Sequence, residues 1–201
     1  MSDHHPAAPL TDVQLRVKAL AAVLTEKKMV QQETLDAIVE HYENKVGPHC
    51  GAQVVARAWT DPDYRRRLLE NASGAIAEMG FADFASTHMM VKENTATIHN
   101  LVVCTLCSCY PWATLGLPPT WYKSAPYRSR AVRDPRGLLK DFGVHLDEHV
   151  EIRVWDSTSE TRYLVLPMRP EGTAGVSAKQ LAELVSRDSM IGTAVIATQL
   201  R

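Results

Sequence analysis

Three of the four cysteines, Cys104, Cys107 and Cys109, fall within six positions, in the run Val102-Val103-Cys104-Thr105-Leu106-Cys107-Ser108-Cys109-Tyr110-Pro111-Trp112. No other feature restricts the chain so much. A chain leaving a strand can fold a Cys-x-x-Cys turn around one transition metal, so these thiolates can converge on a single ion. Zinc sites of this kind pair two such turns, or one turn with a pair of histidines, and neither second pair is near, so zinc is a poor fit. A Cys-x-x-Cys by itself is more often a zinc half-site, a redox dithiol or an iron–sulfur half-site, and on spacing alone those readings stay open beside a catalytic one.

With three sulfurs available, an octahedral ion needs further donors, and the nearest are the peptide nitrogens of Ser108 and Cys109. The Cys107 sulfur, these two nitrogens and the Cys109 sulfur can close contiguous small chelate rings in one plane. Cys104 then approaches axially and the sixth position stays open, as a catalytic metal site requires. Amide nitrogens ligate only as anions, which asks for a trivalent ion such as cobalt(III) or iron(III).

The segment Cys104-Thr105-Leu106-Cys107-Ser108-Cys109 resembles the metal claw of the nitrile hydratase alpha subunit, and Thr105 and Tyr110 match its cobalt-type version, where the iron type carries Ser and Thr. The resemblance extends over nearly the whole chain, through Ala58-Trp59-Thr60-Asp61-Pro62, Glu93-Asn94-Thr95, Leu115-Gly116-Leu117-Pro118-Pro119, Tyr127-Arg128-Ser129-Arg130, Val154-Trp155-Asp156 and Arg187-Asp188-Ser189-Met190-Ile191-Gly192.

The resemblance implies one cobalt(III) ion per alpha chain, in preference to iron(III), with Cys104, Cys107, Ser108 and Cys109 as metal ligands. It implies that Cys104 stays a thiolate while Cys107 is oxidised to the sulfinic and Cys109 to the sulfenic state. The implied reaction is hydration of a small nitrile to the amide, with Cys109 and Ser108 as the catalytic positions. Either the Cys109 sulfenate oxygen or a water it helps activate is the nucleophile. Two amidates, a thiolate, a sulfinate and a sulfenate around a trivalent ion leave about two net negative charges, which cannot be buried unpaired. In the family, two arginines of a beta subunit cover them. The implied assembly is an α2β2 heterotetramer, served by a small activator or metallochaperone that inserts cobalt. Trp112 is placed in the substrate pocket. Thiocyanate hydrolases carry the same claw but tend to replace that Trp by Arg, so Trp112 points to a neutral nitrile. The alternatives are a thiocyanate hydrolase-type subunit and a non-catalytic zinc or redox-binding module. Ala85-Ser86-Thr87-His88 stands where the family usually has Gln-Gly-Glu-Asp, and Ala113 where Pro is commoner. Both changes bear on substrate range.

A formal charge of −1 argues against a nucleic-acid or anionic-membrane partner. No stretch approaches the roughly 20 apolar residues of a membrane span, no leader pattern opens the chain, and four cysteines grouped three to one are not a disulfide framework. A cytoplasmic protein is expected.

The expected organisation is a mobile tail at 1–10, an N-terminal helical arm at 11–48 and a catalytic α+β domain at 49–201, in which antiparallel hairpins are layered against helices as in nitrile hydratase alpha chains. The arm comprises a helix from Thr11 or Asp12 to about Lys28 and another from Gln32 to Asn44. Further helices are predicted over Gly51 to Trp59, from Pro62 to Met79, from Pro135 to Phe142, and from Ala178 through Arg187. Met89 to Lys92 and Ile98 to Val103 read as one hairpin, and Ile152 to Trp155 and Tyr163 to Leu166 as a second. Cys50 reads as an incidental buried thiol, His99 as a core or supporting residue rather than a ligand, Arg65-Arg66-Arg67 as a solvated face, and His4-His5 as without a role. Arg128 and Arg130 are candidates for holding the claw loop or meeting the beta subunit.

Overall fold

The computed structural model describes residues 11–44, 46–81 and 88–196. The tail expected at 1–10 and positions 85–87 lie outside them. The chain divides into two compact units, Met1–Glu43 and Asn44–Arg201.

In the first unit, α1 (Asp12–Glu26) starts from a capping box in which Thr11 and Gln14 satisfy each other's backbone N–H groups. α2 spans Gln32–Asn44. α1 buries no residue: Val13, Val17 and Leu20 are 60–69 % exposed.

The second unit opens with α3 (Pro48–Thr60), whose proline occupies the first turn, where its missing N–H costs nothing. A Cβ on Gly51 would meet the Met190 sulfur and the Thr114 carbonyl oxygen at 2.7 Å, so this position admits glycine alone. The segment expected as one helix from Pro62 to Met79 is two, α4 (Pro62–Glu70) and α5 (Ala72–Ala77). Asn71 breaks it, because its side chain accepts the Gly74 N–H at 3.1 Å and starts a new helix. The last predicted helix divides similarly. β1 (His88–Glu93), β2 (Ile98–Val103), α6 (Trp112–Leu115), α7 (Ala125–Arg133), α8 (Pro135–Asp141), β3 (Glu151–Asp156) and β4 (Thr161–Leu166) are followed by α9 (Ala178–Leu184) and α10 (Arg187–Ile191), with Ser186 capping the second. α6 follows closely on the cysteine-rich turn.

The strands fall where the sequence places them, but they do not pair as hairpins. β1 runs parallel to β4, with Met90 opposite Tyr163, and β2 runs parallel to β3, with Leu101 opposite Val154. The short links 94–97 and 157–160 carry the chain from one two-stranded sheet to the other instead of folding it back on itself. Leu101-Val102-Val103 and Leu164-Val165-Leu166 are continuous buried runs. A run buried on both faces is the pattern of a parallel strand, whereas a hairpin with one wet face alternates. These two runs form the core with Tyr64, Leu68, Leu115, Leu139, Met190 and Ile191, all at most 1 % exposed.

Candidate metal centre

Parallel pairing sets β2 and β3 with their carboxyl ends side by side, Val103 opposite Asp156. The claw leaves β2 at that end, so Asp156 stands next to its first turn. Its carboxylate accepts the Thr105 N–H at 2.9 Å and the Thr105 hydroxyl at 2.5 Å. From the other side Arg128 of α7 donates through Nη1 to the Leu106 and Cys107 carbonyls at 3.3 and 3.4 Å. Beneath the loop, the Tyr122 hydroxyl donates to the Cys109 carbonyl at 3.0 Å and the Tyr127 hydroxyl to the Val102 carbonyl at 2.6 Å. Both phenols are buried, and burial pushes their pKa values up, keeping them protonated donors. Tyr110 packs edge-on against Tyr122 at 5.0 Å between ring centroids.

So held, the loop gathers the three predicted thiols. The ligand atoms of Cys104, Cys107 and Cys109 lie within 4.8 Å of one another, the one such group of three metal-binding side chains among the described residues. Cys107 Sγ is 3.7 Å from Cys104 Sγ and 3.1 Å from Cys109 Sγ, well beyond a disulfide bond of about 2.05 Å. All are free thiols; Cys104 and Cys109 are buried and Cys107 is exposed. The Cys107 N–H donates to Cys104 Sγ at 3.3 Å.

The Cys107 thiol is drawn down to about 7, first by its contact with Cys109, then by the Ser108 N–H, with a smaller contribution from the Cys109 N–H. Burial, followed by contact with Cys107, pushes Cys109 up to about 12, opposed by the positive charge of Arg162. Of the predicted backbone donors, the Ser108 N–H, and more weakly that of Cys109, acts on the Cys107 sulfur alone. A cluster of three soft sulfurs fits a thiophilic transition ion.

Trp112 heads α6 and is 38 % exposed. Beside the claw a shallow cavity of about 410 Å³ is lined by Thr105, Ala125, Arg128, Ser129, Val132 and Arg133. His99 and Cys50 stay out of the cluster. His99 is 4 % exposed, with Nε2 2.7 Å from the Gly192 carbonyl. Cys50 is buried, 3.3 Å from His49 Nε2, and burial raises its pKa. Arg130 pairs with Asp141 and Asp134, away from the loop.

The supports that sequence reasoning missed are Asp156, Tyr122 and Tyr127. Each lies 13 or more residues along the chain from the group it holds, so no local spacing announces it.

Taken with the fold, this centre defines a class: an α+β chain that presents a cysteine cluster at the carboxyl end of a parallel strand pair. A double mutant of the Fe-type nitrile hydratase from Comamonas testosteroni superposes with a TM-score of 0.87 at 40 % identity, covering 92 % of this chain and 90 % of that one. The nitrile hydratase alpha-chain profile matches residues 11–194, and the protein belongs to that family. The low-molecular-weight cobalt-containing nitrile hydratase subunit alpha of Rhodococcus rhodochrous is 54 % identical over 187 residues, which is 93 % of this chain and 90 % of that subunit. The thiocyanate hydrolase subunit gamma of Thiobacillus thioparus is 39 % identical over 197 residues, covering 92 % and 81 %.

Proposed function

We propose that this chain is the alpha subunit of a cobalt-dependent nitrile hydratase, which adds water to a small nitrile to give the amide. The observation that carries the reading is the convergence of Cys104, Cys107 and Cys109, whose sulfurs lie within 4.8 Å of one another. The cobalt-containing relative at 54 % identity supports the choice of metal.

Cys104, Cys107 and Cys109 would hold the ion through sulfur, and Ser108 and Cys109 through nitrogen. Cobalt(III), when bound, supplies Lewis acidity toward the nitrile. Cys107 as sulfinate and Cys109 as sulfenate would donate less electron density than thiolates and place oxygens beside the open position. The Tyr122 hydroxyl on the Cys109 carbonyl and the burial of Cys109 hold this residue in place. An oxygen on its sulfur would attack the nitrile carbon or orient the water that does. Trp112, half-exposed at the head of α6, is assigned to the substrate pocket, where an apolar ring suits a neutral nitrile.

The claw is only half enclosed: Thr105, Leu106 and Cys107 are exposed, Leu106 by 87 %. Water at a charged metal face weakens every electrostatic interaction there. A beta subunit covering the loop and adding arginines would exclude that water and balance the charge, in an α2β2 assembly with the α1–α2 arm as a second point of attachment. A small activator would load the metal. No helix among the described residues is long and apolar enough to cross a membrane, and the free thiols suit the cytoplasm.

The test is metal analysis, intact mass and turnover on the complex purified with its co-expressed partner. Cobalt at one per alpha chain, an added mass of about 48 Da on the peptide carrying Cys107 and Cys109, and amide formed from a nitrile are expected. Zinc with unmodified thiols sinks the reading, and turnover of thiocyanate in place of nitriles transfers the chain to the thiocyanate hydrolase type.

A further inference from the structure

We infer that Arg128 is a positioning residue for the claw, which it serves by holding a positive charge on the carbonyl oxygen of the peptide that joins Cys107 to Ser108. The inference rests on the metal-claw reading and adds a residue of this chain to it.

The placement follows from how α7 is anchored. The Ser124 hydroxyl caps the helix by accepting the Tyr127 N–H at 3.2 Å, and the Tyr127 hydroxyl ties it to β2 at Val102. The next residue, Arg128, is thereby directed at the loop that continues β2. Its Nη1 is shared between the Leu106 and Cys107 carbonyls, and its Nε is buried with no hydrogen-bond partner. The loop has little packing to hold it, being exposed from Thr105 to Cys107. Side chains from elsewhere in the fold tether it, the Asp156 carboxylate at Thr105, Arg128 on the other flank and the Tyr122 hydroxyl at Cys109.

The Cys107 carbonyl and the Ser108 nitrogen belong to one conjugated peptide unit. A nitrogen that ligates a trivalent ion does so as an anion, and resonance shares that negative charge with the oxygen. A hydrogen bond from a charged donor is about twice as strong as a neutral one, and stronger still when the acceptor carries charge. Arg128 therefore favours the ligated form of the loop over the free form. A neutral residue at 128 gives up the charge, and a lysine keeps it without the planar fork.

The experiment compares wild type with Arg128→Gln and Arg128→Lys in the full complex, expressed in limiting cobalt. It reads cobalt per alpha chain and the position of the sulfur-to-cobalt charge-transfer band. Arg128→Gln is expected to hold about tenfold less cobalt, at the low end for loss of a residue supporting a metal ligand. Arg128→Lys is expected to lie between it and wild type, with the band displaced in the loaded fraction of both. A merely structural arginine would change the amount loaded but not the band. Wild type without cobalt defeats the metal-claw reading itself. A loaded wild type with wild-type content and an unmoved band in the variants defeats this inference alone. Should Arg128→Gln fail to assemble, Arg128→Lys decides by the same criterion. An equal loss in Arg133→Gln, which lines the same cavity, also overturns it by assigning the effect to general surface charge.

Discussion

The two ends of β2 present opposite solutions to the same problem, how to keep polar groups in a buried place. At the amino end, the Asn100 N–H donates to Asn94 Oδ1 at 2.7 Å, its side-chain amide donates to the Glu93 carbonyl at 2.8 Å, and its oxygen accepts the Trp155 indole N–H at 2.8 Å. His99 beside it donates from Nε2 to the Gly192 carbonyl, since a carbonyl only accepts, and so offers Nδ1 to the Asn94 amide at 3.4 Å. These groups satisfy one another, as a network that specifies a fold must.

At the carboxyl end, 3.1–3.7 Å separates neighbouring sulfurs that are neither bonded to each other nor metal-free by chemical preference. The buried Tyr110 hydroxyl, Arg128 Nε and Arg162 Nη1 lack partners there. The amino end is a closed hydrogen-bond network, and the carboxyl end carries the cysteine cluster.

Three substitutions or titrations separate these roles, in order of expected effect. Cys109→Ala in the assembled complex removes a ligand outright, so cobalt content and nitrile turnover should fall by more than about a hundredfold, beyond the range for losing an outer partner of a ligand. The thermal midpoint of the metal-free chain should barely move. Wild-type turnover, or a collapse of metal-free stability, breaks the contrast between the two ends.

Asn100→Ala should do the reverse. It strands the Trp155 N–H and the backbone groups around Asn94, a loss of about 2–3 kcal/mol in chemical denaturation. The folded fraction should still bind cobalt at the wild-type ratio. A variant of native stability would mean the network contributes nothing.

The smallest effect is on pH dependence. Burial holds the His99 pKa below its ordinary value, with the Gly192 carbonyl opposing. The unfolded chain therefore takes up the proton first. Stability from this site is full above about pH 6.5, the unperturbed histidine value, and declines as pH falls below it toward the depressed folded-state value. Midpoints recorded from pH 8 down to pH 5 should show a shallower decline in His99→Gln than in wild type. Equal slopes would place the acid sensitivity elsewhere.

How far the sequence could be read follows from the range of the forces involved. Cys104, Cys107 and Cys109 were legible because a chelating turn is local: six residues carry the donors, and the backbone between them dictates which nitrogens come near. α2 and α8 were legible to within a residue or two from periodicity and caps such as Asp134, whose carboxylate accepts the Gly137 N–H. The break at Asn71 was not, because an asparagine inside an apolar periodic run is also compatible with a continuous helix.

The residues alone determined the cysteine cluster, the strand positions and most helix starts, since each depends on neighbours a few positions away. Only the tertiary structure decided that β2 lies parallel to β3, because pairing is a choice among partners about fifty residues apart and short links at 94–97 and 157–160 permit either outcome. That choice brings Asp156 to Thr105 at the carboxyl end of the pair. In the antiparallel arrangement the amino end of a strand would stand there instead, and the claw would lose its anchor.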